Sequence, residues 1–108
     1  MTETDVSNRI RDAVKDEYGT VLHKYHGGAY GESGASDLYG TLPGGYAVYF
    51  EVKTPRTIGV MDVRRKLQDI WLRREESLGA CTGVVASPQD ALILIREYLS
   101  TRCDGDHS

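Results

Sequence analysis

The stretch GASDLYGTLPGGYAVYFEVK, residues 34–53, decides the fold. Pro43, Gly44 and Gly45 mark a tight turn at its middle, because proline presets one backbone angle and glycine supplies those other residues avoid. The flanking segments then read as two strands of a hairpin. In the second, Tyr46, Val48, Phe50 and Val52 face one way and Ala47, Tyr49, Glu51 and Lys53 the other. Glu51 and Lys53 are therefore neighbours on one face. Asp37 lies on the first strand, where cross-strand pairing would bring it to Glu51. Two carboxylates and an ammonium converging on one point are the minimum for holding a hard divalent cation and a phosphate together.

At 108 residues the chain is one domain, long enough for a core and too short for two. We place the folded unit at 1–99 and a short polar tail, expected to fray, at 100–108. Composition is that of an ordinary soluble protein, 40% hydrophobic and 27% charged. No apolar run approaches the roughly 20 residues of a membrane span. Residues 1–5 lack a basic-then-apolar leader pattern, so no membrane partner and a cytoplasmic location are expected. Cys81 lies in an apolar strand candidate and Cys103 in the polar tail, which argues against a structural disulfide.

The net charge of −3 argues against a polyanionic partner, but its distribution does not. From Glu51 to Arg74 there are seven bases (Lys53, Arg56, Arg64, Arg65, Lys66, Arg73, Arg74) against three acids (Glu51, Asp62, Asp69). By itself such a cluster reads first as a solvated helix face. Directly after a carboxylate pair, it also suits a polyanionic substrate.

Periodicity supplies the remaining elements. Val6, Ile10, Val14 and Tyr18 recur every four positions, predicting a helix over 4–18 capped by Thr4 or Asp5 and closed by Gly19. Residues 21–26 form a strand candidate, with His23 and His26 in structural or surface roles. A glycine-rich loop over 27–34 follows; it lacks the Gly-Lys-Ser/Thr of a phosphate-binding loop. A second helix over 61–78 is expected to bury Val63, Leu67, Ile70, Trp71 and Leu78, with Gln68 beside that stripe and Trp71 in the core or at a dimer contact. Residues 80–86 read as a buried strand. A last helix begins at Ser87-Pro88 and turns Ala91, Leu92, Ile95 and Leu99 inward. His107 with Asp104 and Asp106 would bind metal only weakly, and a disordered tail is the better reading.

Gly34-Ala35-Ser36-Asp37, then Glu51-Val52-Lys53, then Gln68 on the following helix resembles the PD-(D/E)xK nuclease superfamily. Within it the chain is most similar to small stand-alone VRR-NUC domains of phages and bacteria, over roughly residues 3–95. An E-x-K triplet alone is common; Asp, E-x-K and Gln in this order on these elements are more specific. One departure is Ser36, where the family usually has proline. Proline shapes backbone rather than binding metal, so the departure bears on local geometry.

The resemblance implies an α/β, restriction-endonuclease-like mixed sheet flanked by helices, in the order α-β-β-β-α-β-α. It implies Mg²⁺ or Mn²⁺ on Asp37, Glu51 and the Val52 carbonyl, with Glu3 on the first helix as a secondary ligand and no organic cofactor. A water acidified by the metal would attack a DNA phosphodiester; Lys53 would orient it or stabilise the transition state, and Gln68 would position Lys53 or that water. Arg56, Arg64, Arg65 and Lys66 would contact DNA phosphates. Stand-alone members form homodimers and cut branched DNA, which implies a Holliday junction resolvase in recombination and repair. The alternatives are a nuclease for flaps or other DNA structures, and a non-catalytic DNA-binding subunit.

Overall fold

The computed structural model describes residues 2–25, 37–59 and 61–105, with side chains through Arg102. The element order is α1 (Glu3–Tyr18), β1 (His23–Lys24), β2 (Leu38–Leu42), β3 (Tyr46–Val52), α2 (Val63–Ser77), β4 (Cys81–Val85) and α3 (Pro88–Gly105). This is the expected α-β-β-β-α-β-α order. The sheet runs β1-β2-β3-β4, antiparallel at the first two pairings and parallel at the third.

The hairpin forms as its turn residues dictate. Gly44 and Gly45 take φ of 92° and 86°, a region that side chains disfavour, and the Gly45 N–H closes the turn on the Leu42 carbonyl. Leu38 then pairs with Phe50 and Leu42 with Tyr46. Leu38, Leu42, Val48, Phe50 and Val52 turn to one side and merge with Val6, Ile10 and Val14 of α1, Val85 of β4, and Ala91 and Ile95 of α3. Helices α1 and α3 pack on each other there. α2 lies on the opposite face, where Trp71 meets Tyr49 edge-on at 4.9 Å. A two-faced sheet is thereby covered on its apolar side by two helices and on its polar side by one.

Four local expectations are corrected. The cap of α1 is Thr2, two residues before the expected Thr4: its hydroxyl accepts from the Asp5 N–H while the Asp5 carboxylate accepts from the Thr2 N–H. Of the strand expected over 21–26, the described residues 21–25 pair as a strand at His23–Lys24, with Val21 exposed before it and the Tyr25 N–H on the Asp37 carbonyl after it. Ser100 does not start a frayed tail, since α3 continues to Gly105. The stripe on α2 is the fourth. Val63, Leu67, Ile70 and Leu78 are exposed, whereas Gln68 and Leu72 are buried. The helix docks on the polar face of the sheet, so a polar residue leads its buried side.

Other expectations hold. Gly19 closes α1 in the left-handed conformation. Cys81 is free and buried, and burial pushes its thiol up to about 12. His26, the glycine-rich loop, Gly34-Ala35-Ser36, Asp106 and His107 lie outside the described residues, as do the side chains of Cys103 and Asp104. Among the described residues, no helix is long and apolar enough to cross a membrane.

Candidate active site

The site sits at the C-terminal end of β3. Glu51 is the penultimate residue of that strand and is fully buried, although its neighbours in sequence suggest a surface position. β4 lies parallel on one side of it and α2 crosses above it. Asp37, just before β2, comes to the other side because the Leu38–Phe50 register places the preceding residue opposite Glu51. The Asp37 carboxylate accepts from the Val52 N–H at 3.0 Å. An extended residue directs its N–H and C=O to the same side of the strand, so the Val52 carbonyl also points toward Asp37.

Gln68 fastens the centre. Its side-chain N–H donates to Glu51 Oε1 at 2.7 Å, with both groups buried. The sequence reading gave Gln68 to Lys53 or a water; the structure gives it to Glu51. Lys53 Nζ stands 3.6 Å from the same Oε1. Among the described residues, Gln68 Oε1 and Trp71 Nε1 are buried without a hydrogen-bond partner.

Burial raises the Glu51 carboxyl to about 9, and the adjacent Asp37 carboxylate raises it further, against the opposing pull of Lys53 and Arg64. Two carboxyls held this close, one of them fully buried, form an arrangement that a hard cation relieves. The donor set therefore fits Mg²⁺ or Mn²⁺. Glu3 is not part of it: the residue is exposed in the first turn of α1, and among the described residues no cluster of three His, Cys, Asp or Glu side chains forms.

The basic segment divides. Arg56, Arg64 and Lys66 are exposed. Arg65 is not available in the same way, because it bonds Asp69 at 3.2 Å and the Ile58 carbonyl at 2.7 Å, tying α2 to the preceding loop. The features that sequence reasoning missed are the burial of Glu51 and the exposed rings of His23, Tyr25 and Tyr39 beside Asp37. Parity along the strands was the available signal for the rings.

No family model matches the chain, and no curated protein does. A solved structure described as a VRR_NUC domain matches with a TM-score of 0.66 and 27% identity, over 89% of this chain and 96% of that one. The four-stranded mixed sheet flanked by helices is consistent with a restriction-endonuclease-like fold of the VRR_NUC type. The chain is similar to that VRR_NUC domain over most of its length.

Proposed function

We propose that this chain is a metal-dependent DNA endonuclease that hydrolyses phosphodiester bonds in branched DNA such as Holliday junctions, acting as a homodimer. The observation that carries the reading is the Asp37–Glu51 pair, with Glu51 fully buried and the Asp37 carboxylate held by the Val52 N–H. Similarity to a VRR_NUC domain supports nuclease activity. A non-catalytic DNA-binding subunit has no use for a half-buried and a fully buried carboxyl side by side, facing a polyanion.

Asp37, Glu51 and the Val52 carbonyl would hold Mg²⁺ or Mn²⁺. The cation supplies Lewis acidity toward a phosphate oxygen and lowers the pKa of water. The rest falls to the chain. Gln68 holds the Glu51 carboxyl in one orientation through its 2.7 Å hydrogen bond. Lys53, half-buried at the strand end, presents an ammonium where charge develops on the phosphate as the nucleophile approaches. Arg56, Arg64 and Lys66 flank the site with exposed charge suited to the neighbouring phosphates.

The homodimer is supported by one face of α2. Val63, Leu67 and Ile70 follow helical spacing and are 73%, 41% and 64% exposed. A second copy meeting this face about a two-fold axis would bury it and present two sites to a four-way junction.

The test incubates labelled four-way junction, flap and linear duplex with the protein, with and without Mg²⁺ or Mn²⁺. Metal-dependent cleavage of the junction, lost in Asp37→Ala and Glu51→Ala, is the expected result. Preference for flaps would keep the chemistry and replace the substrate. No cleavage of any DNA under any of these metals would favour the binding subunit.

A further inference from the structure

The sheet face that carries Asp37, Tyr39, Tyr49 and Glu51 is covered by α2 over β3, where Trp71 stands on Tyr49. Toward β1 the same face carries three exposed rings. His23 lies opposite Tyr39 in the ladder, with centroids 5.4 Å apart and planes tilted by 34°. Tyr25 meets Tyr39 edge-on at 6.3 Å and 77°. Tyr25 and Tyr39 keep 37% and 39% of their surface. The shelf is joined to the carboxylate site through the main chain: the Tyr25 N–H donates to the Asp37 carbonyl at 2.8 Å, and Tyr39 follows Asp37 on the same face of β2.

β1 is a two-residue edge strand, and the sheet face beside it presents ring faces. Every nucleobase has a π-face, so aromatic shelves take unstacked bases with little regard to sequence. A continuous duplex has no free base to offer. We propose that His23, Tyr25 and Tyr39 stack an unpaired nucleobase of the strand whose phosphate enters the Asp37–Glu51 site, so that the protein selects DNA with a splayed nucleotide beside the scissile bond. This rests on the nuclease reading above and narrows its substrate class to interrupted duplexes.

Binding is measured in EDTA, so that no cleavage is needed, by anisotropy of a labelled duplex with a short single-stranded overhang against the blunt duplex. The full-length protein should favour the overhang roughly tenfold or more, the range of a base–aromatic stack. Tyr39→Phe should keep that margin. Tyr39→Leu, which retains apolar bulk without a ring face, should lose most of it, as should an overhang whose first nucleotide is abasic. An unchanged margin in Tyr39→Leu, or equal binding of abasic and intact overhangs, overturns the proposal. Should Tyr39→Leu fail to fold, His23→Ala at the exposed edge and the abasic probe on wild type decide it. Overhang preference without metal-dependent cleavage would remove the nuclease reading and keep the shelf. Cleavage without overhang preference would do the reverse.

Discussion

Gln68 donates its side-chain N–H to Glu51 Oε1 at 2.7 Å, from a helix to a strand, with both groups out of water. Gln68→Ala should therefore strip a buried carboxyl of the neutral side-chain donor it has among the described residues. Such a loss costs about 1–3 kcal/mol, visible as a lower urea midpoint. Turnover should fall more than DNA affinity, because the carboxyl orientation matters at the reacting phosphate. Equal stability and equal turnover in the variant would show that the bond does no positioning.

The raised Glu51 carboxyl makes a pH prediction for protein kept in EDTA. Between its ordinary value of 4.5 and about 9, the folded state keeps a proton that the unfolded chain has released. Stability should accordingly fall as pH rises through that window. Glu51→Gln should flatten the fall and melt higher than wild type near pH 8. Adding Mn²⁺ should raise the wild-type melting temperature at that pH and leave Glu51→Gln nearly unmoved. Parallel pH profiles for the two proteins would contradict the assignment.

Lys53 Nζ is close enough to Glu51 to be ordered by it, yet its 3.6 Å separation exceeds the 2.7–2.9 Å typical of a charge-assisted hydrogen bond. The ammonium thus keeps donors to spare for phosphate. Lys53→Ala should lower kcat far more than it weakens DNA binding, and Lys53→Arg should rescue poorly because a planar fork differs in shape from a point charge. Loss of activity that tracks loss of binding alone would make Lys53 an anchor.

Arg64 and Arg65 should behave differently despite being adjacent. Arg64 is exposed, so Arg64→Ala should reduce the salt slope of DNA binding by roughly one counterion and weaken all sequences alike. Arg65 bonds Asp69 and the Ile58 carbonyl, so Arg65→Ala should loosen the start of α2 and lower thermal stability. Titrations across salt concentrations, with melting curves alongside, separate the two roles. Identical effects from both variants would refute this division.

Sequence alone determined the hairpin, the Glu51–Lys53 adjacency, the element order and the candidate residues Asp37, Glu51, Lys53 and Gln68. The hairpin, the adjacency and the convergence of Asp37 on Glu51 and Lys53 follow from turn chemistry and side-chain periods, properties of residues close in the chain, while Gln68 is a candidate only through the family resemblance. The side of α2 that faces the sheet was decided only in three dimensions. Hydrophobic periodicity points to Val63, Leu67 and Ile70, but docking over Glu51 favours a hydrogen-bond donor, so Gln68 and Leu72 go inward. The tertiary structure also separated Arg64 from Arg65, left Glu3 outside the carboxylate pair, and set His23 and Tyr25 against Tyr39. Each of these depends on how one element registers against another, and that register is set by the summed packing of the whole core.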